Sequence, residues 1–149
     1  MFSNPSVLYD YLMRLVGTPY RWGGDDTIEG FDCSGLTIEF LQAAGVLQRG
    51  FDGTAKGLSE ALAQKSTKVT APTFGTILFF GYPISHVGIG LTETLMLEAG
   101  GGDSKTVDWK EAAKQNAFVR IRPVSWRRDL NHMLYPNYSW GGSNGLGTR

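Results

Sequence analysis

Cys33, His86 and Glu98 are the residues of this chain whose types and surroundings suit nucleophilic acyl transfer. A thiol attacks a carbonyl as its anion, and the unpaired N–H groups at a helix N-terminus favour that anion. Cys33 lies between Asp32 and Ser34, both capping types, and ahead of Leu36, Phe40 and Ala43 or Ala44, an apolar stripe that runs up to Gly45. The spacing predicts a helix that begins at or beside the sulfur, with Gly35 leaving room for a substrate backbone. The plain alternative is a buried cysteine acting as a small hydrophobe.

A histidine serves such a thiol when one ring nitrogen is held by an acceptor and the other faces the sulfur. Val87, Ile89 and Leu91 alternate along one predicted strand, and Leu95, Leu97 and Ala99 along the next, so both sets belong on one core face of the sheet. Odd positions then pair with odd, the connecting loop has an odd number of residues, and His86 and Glu98 share the opposite face, adjacent or diagonal. The stretch Leu91-Thr-Glu-Thr94 agrees, since it lacks the Asn-Gly or Gly-X pair of a two-residue turn. A solvated glutamate at a strand end is the alternative for Glu98. His132, in a polar and aromatic-rich stretch without a comparable neighbour, reads as structural.

The elements that must position these groups follow from periodicity. Val7, Leu8, Tyr11, Leu12 and Leu15 recur at helical steps and predict a helix ended by Gly17, followed by a loop over residues 17–30 rich in Gly and Asp. A weaker helical segment covers about residues 54–64. Beyond the turn residues 71–75 the period becomes two, with strands expected over 76–80, 86–91, 95–99 and 117–121 and a short helix over 109–114. Helices first and a mostly antiparallel sheet afterwards is the α+β pattern. The domain is read as residues 1–122 and the remainder, 123–149, as a C-terminal extension. In it Trp126, Tyr135, Tyr138 and Trp140 could pack on the sheet or contact a partner, and residues 141–149 read as disordered.

Composition narrows the function classes. The chain has 149 residues, which suits one domain, and 42% hydrophobic with 19% charged residues describes a soluble globular protein. Fourteen basic residues balance 14 acidic ones, and Arg120, Arg122, Arg127 and Arg128 are diluted by Pro123, Trp126 and Asp129, so no nucleic-acid partner is expected. One cysteine gives no internal disulfide, and with two histidines no ligand set for a structural zinc assembles. No apolar run approaches the ~18 residues of a membrane helix, and the start lacks the marks of a secretion signal.

Four segments, Gly17-Thr-Pro-Tyr-Arg-Trp-Gly-Gly24, Phe31-Asp-Cys-Ser-Gly35, Thr76-Ile-Leu-Phe-Phe80 and Ser85-His-Val-Gly-Ile-Gly90, closely resemble the NlpC family of papain-like cysteine peptidases in order and spacing. The resemblance covers roughly residues 5–102. It implies a papain-like fold and hydrolysis of peptide bonds in peptidoglycan stem peptides, usually between D-glutamate and the third, diamino residue. Cys33 matches the family nucleophile and His86 its general base. Tyr20 matches a tyrosine beside the nucleophile that helps bind substrate or supports the oxyanion, and Asp32 and Ser34 match positions that meet the free amino end of the stem peptide. Glu98 falls at the third catalytic position, where the family more often has His, Asn or Gln; a carboxylate there would hold the imidazole and favour imidazolium. Thr76 stands where the family commonly has Asp.

The mechanism so implied is acyl transfer through a thioester, without cofactor or metal. The resemblance and the missing leader together suggest a phage or prophage tail component, with tail proteins as partners, or a toxin exported by another route. Three alternatives stay open: a Cys/His amidase cutting between sugar and peptide, a non-catalytic wall-binding or tail-assembly module, and acyl transfer to an amine instead of water.

Overall fold

The computed structural model describes residues 3–26, 28 and 30–140. The first helix, α1 (Pro5–Met13), starts where Asn4 Oδ1 accepts from Ser6 N at 2.8 Å, and it buries Leu8 and Leu12. It ends before Leu15 because residues 14–17 form turns that close at Gly17, whose φ of +91° suits glycine. The loop that follows is tied down by a two-stranded antiparallel ribbon, β1 (Asp25–Asp26) with β2 (Gly30–Phe31). It delivers the chain to α2 (Cys33–Ala43), whose Leu36, Thr37, Ile38, Phe40, Leu41 and Ala43 are all buried. Helix α3 (Ala55–Leu62) runs into a single 3-10 turn, Ala63–Lys65.

The sheet contains β3 (Ser66–Val69), β4 (Ile77–Phe80), β5 (His86–Gly90), β6 (Leu95–Gly100), β7 (Phe118–Pro123) and β8 (Leu130–Pro136), in the order β3-β8-β4-β5-β6-β7 and antiparallel throughout. Helix α4 (Trp109–Gln115) joins β6 to β7. Helix α2 packs against β5 and β6, and its Leu36 and Phe40 share a core with Ile77, Phe79, Val87, Ile89 and Leu97. The register pairs Ile89 with Leu97 and Gly90 with Met96, the odd-with-odd parity that alternation requires. The opposite face is not solvated: Leu78, Phe80, Met96 and Met133 form a second cluster there, and His86 and Glu98 are buried. Leu95, expected on the core face, is exposed at the strand start.

Two strands carry no clear alternating signal. Ser66–Val69 is an edge strand, and β8 is an interior strand whose Met133, Leu134 and Tyr135 are consecutively buried. The stretch beyond residue 122, an extension by sequence, thus supplies an interior strand that pairs Leu134 with Ile77 and Met133 with Leu78. Tyr138 then stacks on Trp140, and its hydroxyl donates to Gly75 O at 2.6 Å. The reading of residues 141–149 falls outside the described residues. Among the described residues, no helix is long and apolar enough to cross a membrane.

Because β8 alone joins β3 to β4, a chain ended at Pro123 leaves both strands without that partner. It is expected to lose the cooperative thermal transition that the full chain shows by circular dichroism; a shortened chain that melts cooperatively would show that β8 is dispensable.

Candidate active site

Local chemistry places the sulfur. Asp32 caps α2: its Oδ1 accepts from Gly35 N at 2.7 Å and from Ser34 Oγ at 3.2 Å, and its Oδ2 accepts from Gly23 N at 3.0 Å. Gly35 is required here, since a Cβ at that position would collide with the carbonyl oxygen of Gly24. Cys33 is the first residue of the helix and is partly exposed. Asp32 and Ser34 therefore flank Cys33 with their polar side-chain atoms already engaged by each other and by backbone. Thr76, where a carboxylate was the family pattern, is fully buried and accepts from Thr73 N at 3.0 Å in the turn before β4.

His86 begins β5 and lies between Glu98 and Cys33. Its Nε2 lies 2.7 Å from Glu98 Oε1, and the Cys33 thiol is its second side-chain partner. With Nε2 engaged by the carboxylate, Nδ1 is the nitrogen left for the sulfur. Burial alone would lower the His86 pKa; the hydrogen bonds and charges of Cys33 and Glu98 outweigh it and raise the value to about 9. Burial opposes ionisation of Glu98 as well, yet His86, Arg122 and Arg127 together hold its pKa below the ordinary carboxylate value. At 3% exposure Glu98 is not a solvated strand-end residue.

Tyr20 is buried beside this line, held by its backbone N–H to Ala117 O at 3.0 Å. Burial, then the nearby Cys33, Asp32 and Asp103 charges, push its phenol well above the usual tyrosine value, so it stays a proton donor. Two clefts meet at the sulfur. One, of about 540 Å³, is lined by His86, Glu98, Arg122, Trp126 and Arg127; the other, of about 500 Å³, by Asp32, Ser34, Asp52, Thr54 and Ile84. Tyr20, Trp22, Cys33 and Ser85 line both, so the two form one open groove across Cys33.

Arg122, Trp126 and Arg127 line the groove, a place the sequence alone did not assign to them. The signal was present in β7, where Val119 and Ile121 alternate with Arg120 and Arg122; the missing knowledge was which strand lies beside β6. His132 is away from the groove, stacked on Phe79 and 3.1 Å from Ser59 Oγ. Among the described residues, no group of three or more His, Cys, Asp or Glu side chains is placed to hold a metal ion.

The NlpC/P60 family profile matches residues 17–123. The bifunctional muramidase/DL-endopeptidase CwlT of Bacillus subtilis is 33% identical over 82 residues, which cover 52% of this chain and 23% of CwlT. The chain spans about a quarter of the length of the first such relatives. The NlpC/p60 domain of the peptidoglycan hydrolase SagA superposes with a TM-score of 0.60 at 25% identity, covering 88% of this chain and 97% of that one. RipD from Mycobacterium tuberculosis, a non-catalytic NlpC/p60 domain protein adapted to peptidoglycan binding, superposes with a TM-score of 0.63 at 20% identity, over 88% and 95%.

The coupled charges make stability depend on pH. The folded pKa of His86 lies above its ordinary 6.5, so its contribution is complete below about 6.5 and is lost as pH rises through about 9. Glu98 is shifted down, so its contribution is present above about 4.5 and is lost as pH falls through the folded value. The stability advantage of wild type over His86→Gln, measured by urea denaturation, is expected to be greatest between these limits and to vanish above pH about 9. An advantage that persists undiminished at higher pH would contradict the raised value.

Proposed function

Because the chain belongs to the NlpC/P60 family, we propose that it is a cysteine endopeptidase acting on peptidoglycan stem peptides. Its α+β fold is the papain-like one of that family, with Cys33 at the start of a helix packed on a mostly antiparallel sheet. The observation that carries the proposal is the continuous line Cys33–His86–Glu98 within an open groove. A domain kept only for binding would need no ion-paired imidazole buried beside its single thiol.

In this reading His86 Nδ1 takes the thiol proton and Cys33 Sγ attacks the scissile carbonyl carbon. The Cys33 N–H, at the helix N-terminus, and the Tyr20 hydroxyl donate to the oxyanion that forms. Collapse of the tetrahedral intermediate breaks the C–N bond, and the His86 imidazolium gives its proton to the leaving amine. A water deprotonated by His86 then attacks the thioester, and the acyl product leaves as a carboxylate while the thiol is restored. Glu98 keeps the ring oriented by accepting from Nε2–H. Asp32 and Ser34 are assigned to the acyl side of the groove, where a free amino end would share the Asp32 charge with the helix cap. The bond assigned, between D-glutamate and the diamino residue, is supported by the family resemblance.

Incubation with purified peptidoglycan fragments followed by mass spectrometry tests this. Wild type is expected to release peptides cut at that bond. Cys33→Ala and His86→Ala should each lose activity by at least about 10²-fold while melting cooperatively. Glu98→Gln, which keeps a hydrogen-bond acceptor, should retain more activity than Glu98→Ala. Turnover by Cys33→Ala would overturn the nucleophile, separation of intact stem peptide from sugar would make the protein an amidase, and binding without any product would make it a wall-binding module.

A further inference from the structure

Each oxygen of Glu98 faces a different cation. Oε1 lies 2.7 Å from His86 Nε2, and Oε2 lies 2.8 Å from Arg122 Nε. The second contact is an ion pair off the line of a hydrogen bond, since the buried Nε–H finds no directed acceptor. The register that pairs Met96 with Arg122 and Glu98 with Arg120 puts both arginines on the face of Glu98, and Arg122 reaches diagonally across to it. Its guanidinium carbon sits 4.2 Å from the centre of the Trp126 ring, which lies in the turn after β7. Gly100 completes the arrangement, because a Cβ there would collide with the Glu98 carboxylate.

We propose that Arg122 is a positioning residue that neutralises Glu98, so that His86 is oriented by a carboxylate behaving as a nearly neutral acceptor. This rests on the reading above, in which His86 both accepts and returns a proton. A buried carboxylate without a second counter-ion would hold the imidazolium proton too firmly to release it to the leaving amine, and a neutral acceptor beside a lone Arg122 would leave a cation repelling the imidazolium. The Glu98–Arg122 pair lies between these extremes. The charges and titratable groups around His86 and Glu98 are Cys33 from α2, Glu98 from β6, Arg120 and Arg122 from β7, Arg127 and Asp129 from the segment before β8, and Tyr20 and Asp103 on the groove wall; the Arg120 guanidinium is turned to the Asn116 and Phe118 carbonyls. Arg127 and Asp129 largely cancel, paired through two contacts of 2.9 and 2.7 Å, and β5 carries no other titratable side chain. Arg122 is therefore the cation whose removal changes the balance most.

The test is an NMR titration of the His86 ring in the full chain, resolved from the other histidine with His132→Gln, beside the pH profile of peptide cleavage. Arg122→Gln is expected to raise the His86 midpoint by roughly one pH unit or more, and Glu98→Gln to lower it by a similar amount. The double variant should fall between the two single variants, and Arg122→Lys, which keeps the charge, should stay close to wild type. The alkaline limb of cleavage should move in the same directions. A midpoint unmoved or lowered in Arg122→Gln would overturn the proposal, as would Arg122→Lys shifting as far as Arg122→Gln. Titrations as expected from a protein that cuts no stem peptide would leave the charge balance standing and remove the endopeptidase reading; cleavage with an unmoved midpoint would do the reverse.

Discussion

The cap on α2 is the constraint from which the rest of the molecule is arranged. One carboxylate, Asp32, satisfies the Gly35 and Gly23 N–H groups and holds the Ser34 hydroxyl, while its own N–H donates to Gly24 O. Loop and helix thereby become one unit, and Cys33, the first residue of the helix, lines the groove. Since α2 is buried along nearly its whole length, its direction also decides where β5 and β6 can lie. A cap of this kind contributes about 1 kcal/mol to a helix. Its greater effect here is geometric, because a small rotation of the first turn would carry the sulfur away from His86.

Much of this was legible because it is local. Capping types on either side of Cys33 announce a helix start, and alternation on both sides of Leu91-Thr-Glu-Thr94 forces His86 and Glu98 to one face. What local pattern cannot carry is which distant segments become neighbours. Strand β8 is buried on both faces and so shows no alternation, and its partners β3 and β4 lie far back in the chain. Arg122 was visible as a charge alternating with Val119 and Ile121, yet its meaning depends on β7 lying beside β6. Burial of Glu98 was equally hidden, since the face opposite a core is commonly wet and here a second small cluster covers it.

The groove shows how a site with buried charges can be tolerated. Removing a carboxylate and an imidazolium from water is costly, and their attraction alone seldom offsets it. A third partner, Arg122, supports the pair from the strand on the other side and rests its planar guanidinium on Trp126. Most of the stabilisation comes from elsewhere, through Phe31, Phe40, Phe79 and the leucines of α1, α2 and α3, all of them fully buried. The apolar core holds the backbone still enough for the polar line to keep its register.

The place of β8 has a consequence for synthesis. A ribosome delivers the thiol, the imidazole and the carboxylate, at positions 33, 86 and 98, well before residues 130–136 that close the gap between β3 and β4. Contacts of such sequence separation form late and as a set. A nascent chain therefore carries Cys33, His86 and Glu98 while lacking the finished sheet, which is complete only when Pro136 has emerged and the last strand enters between β3 and β4.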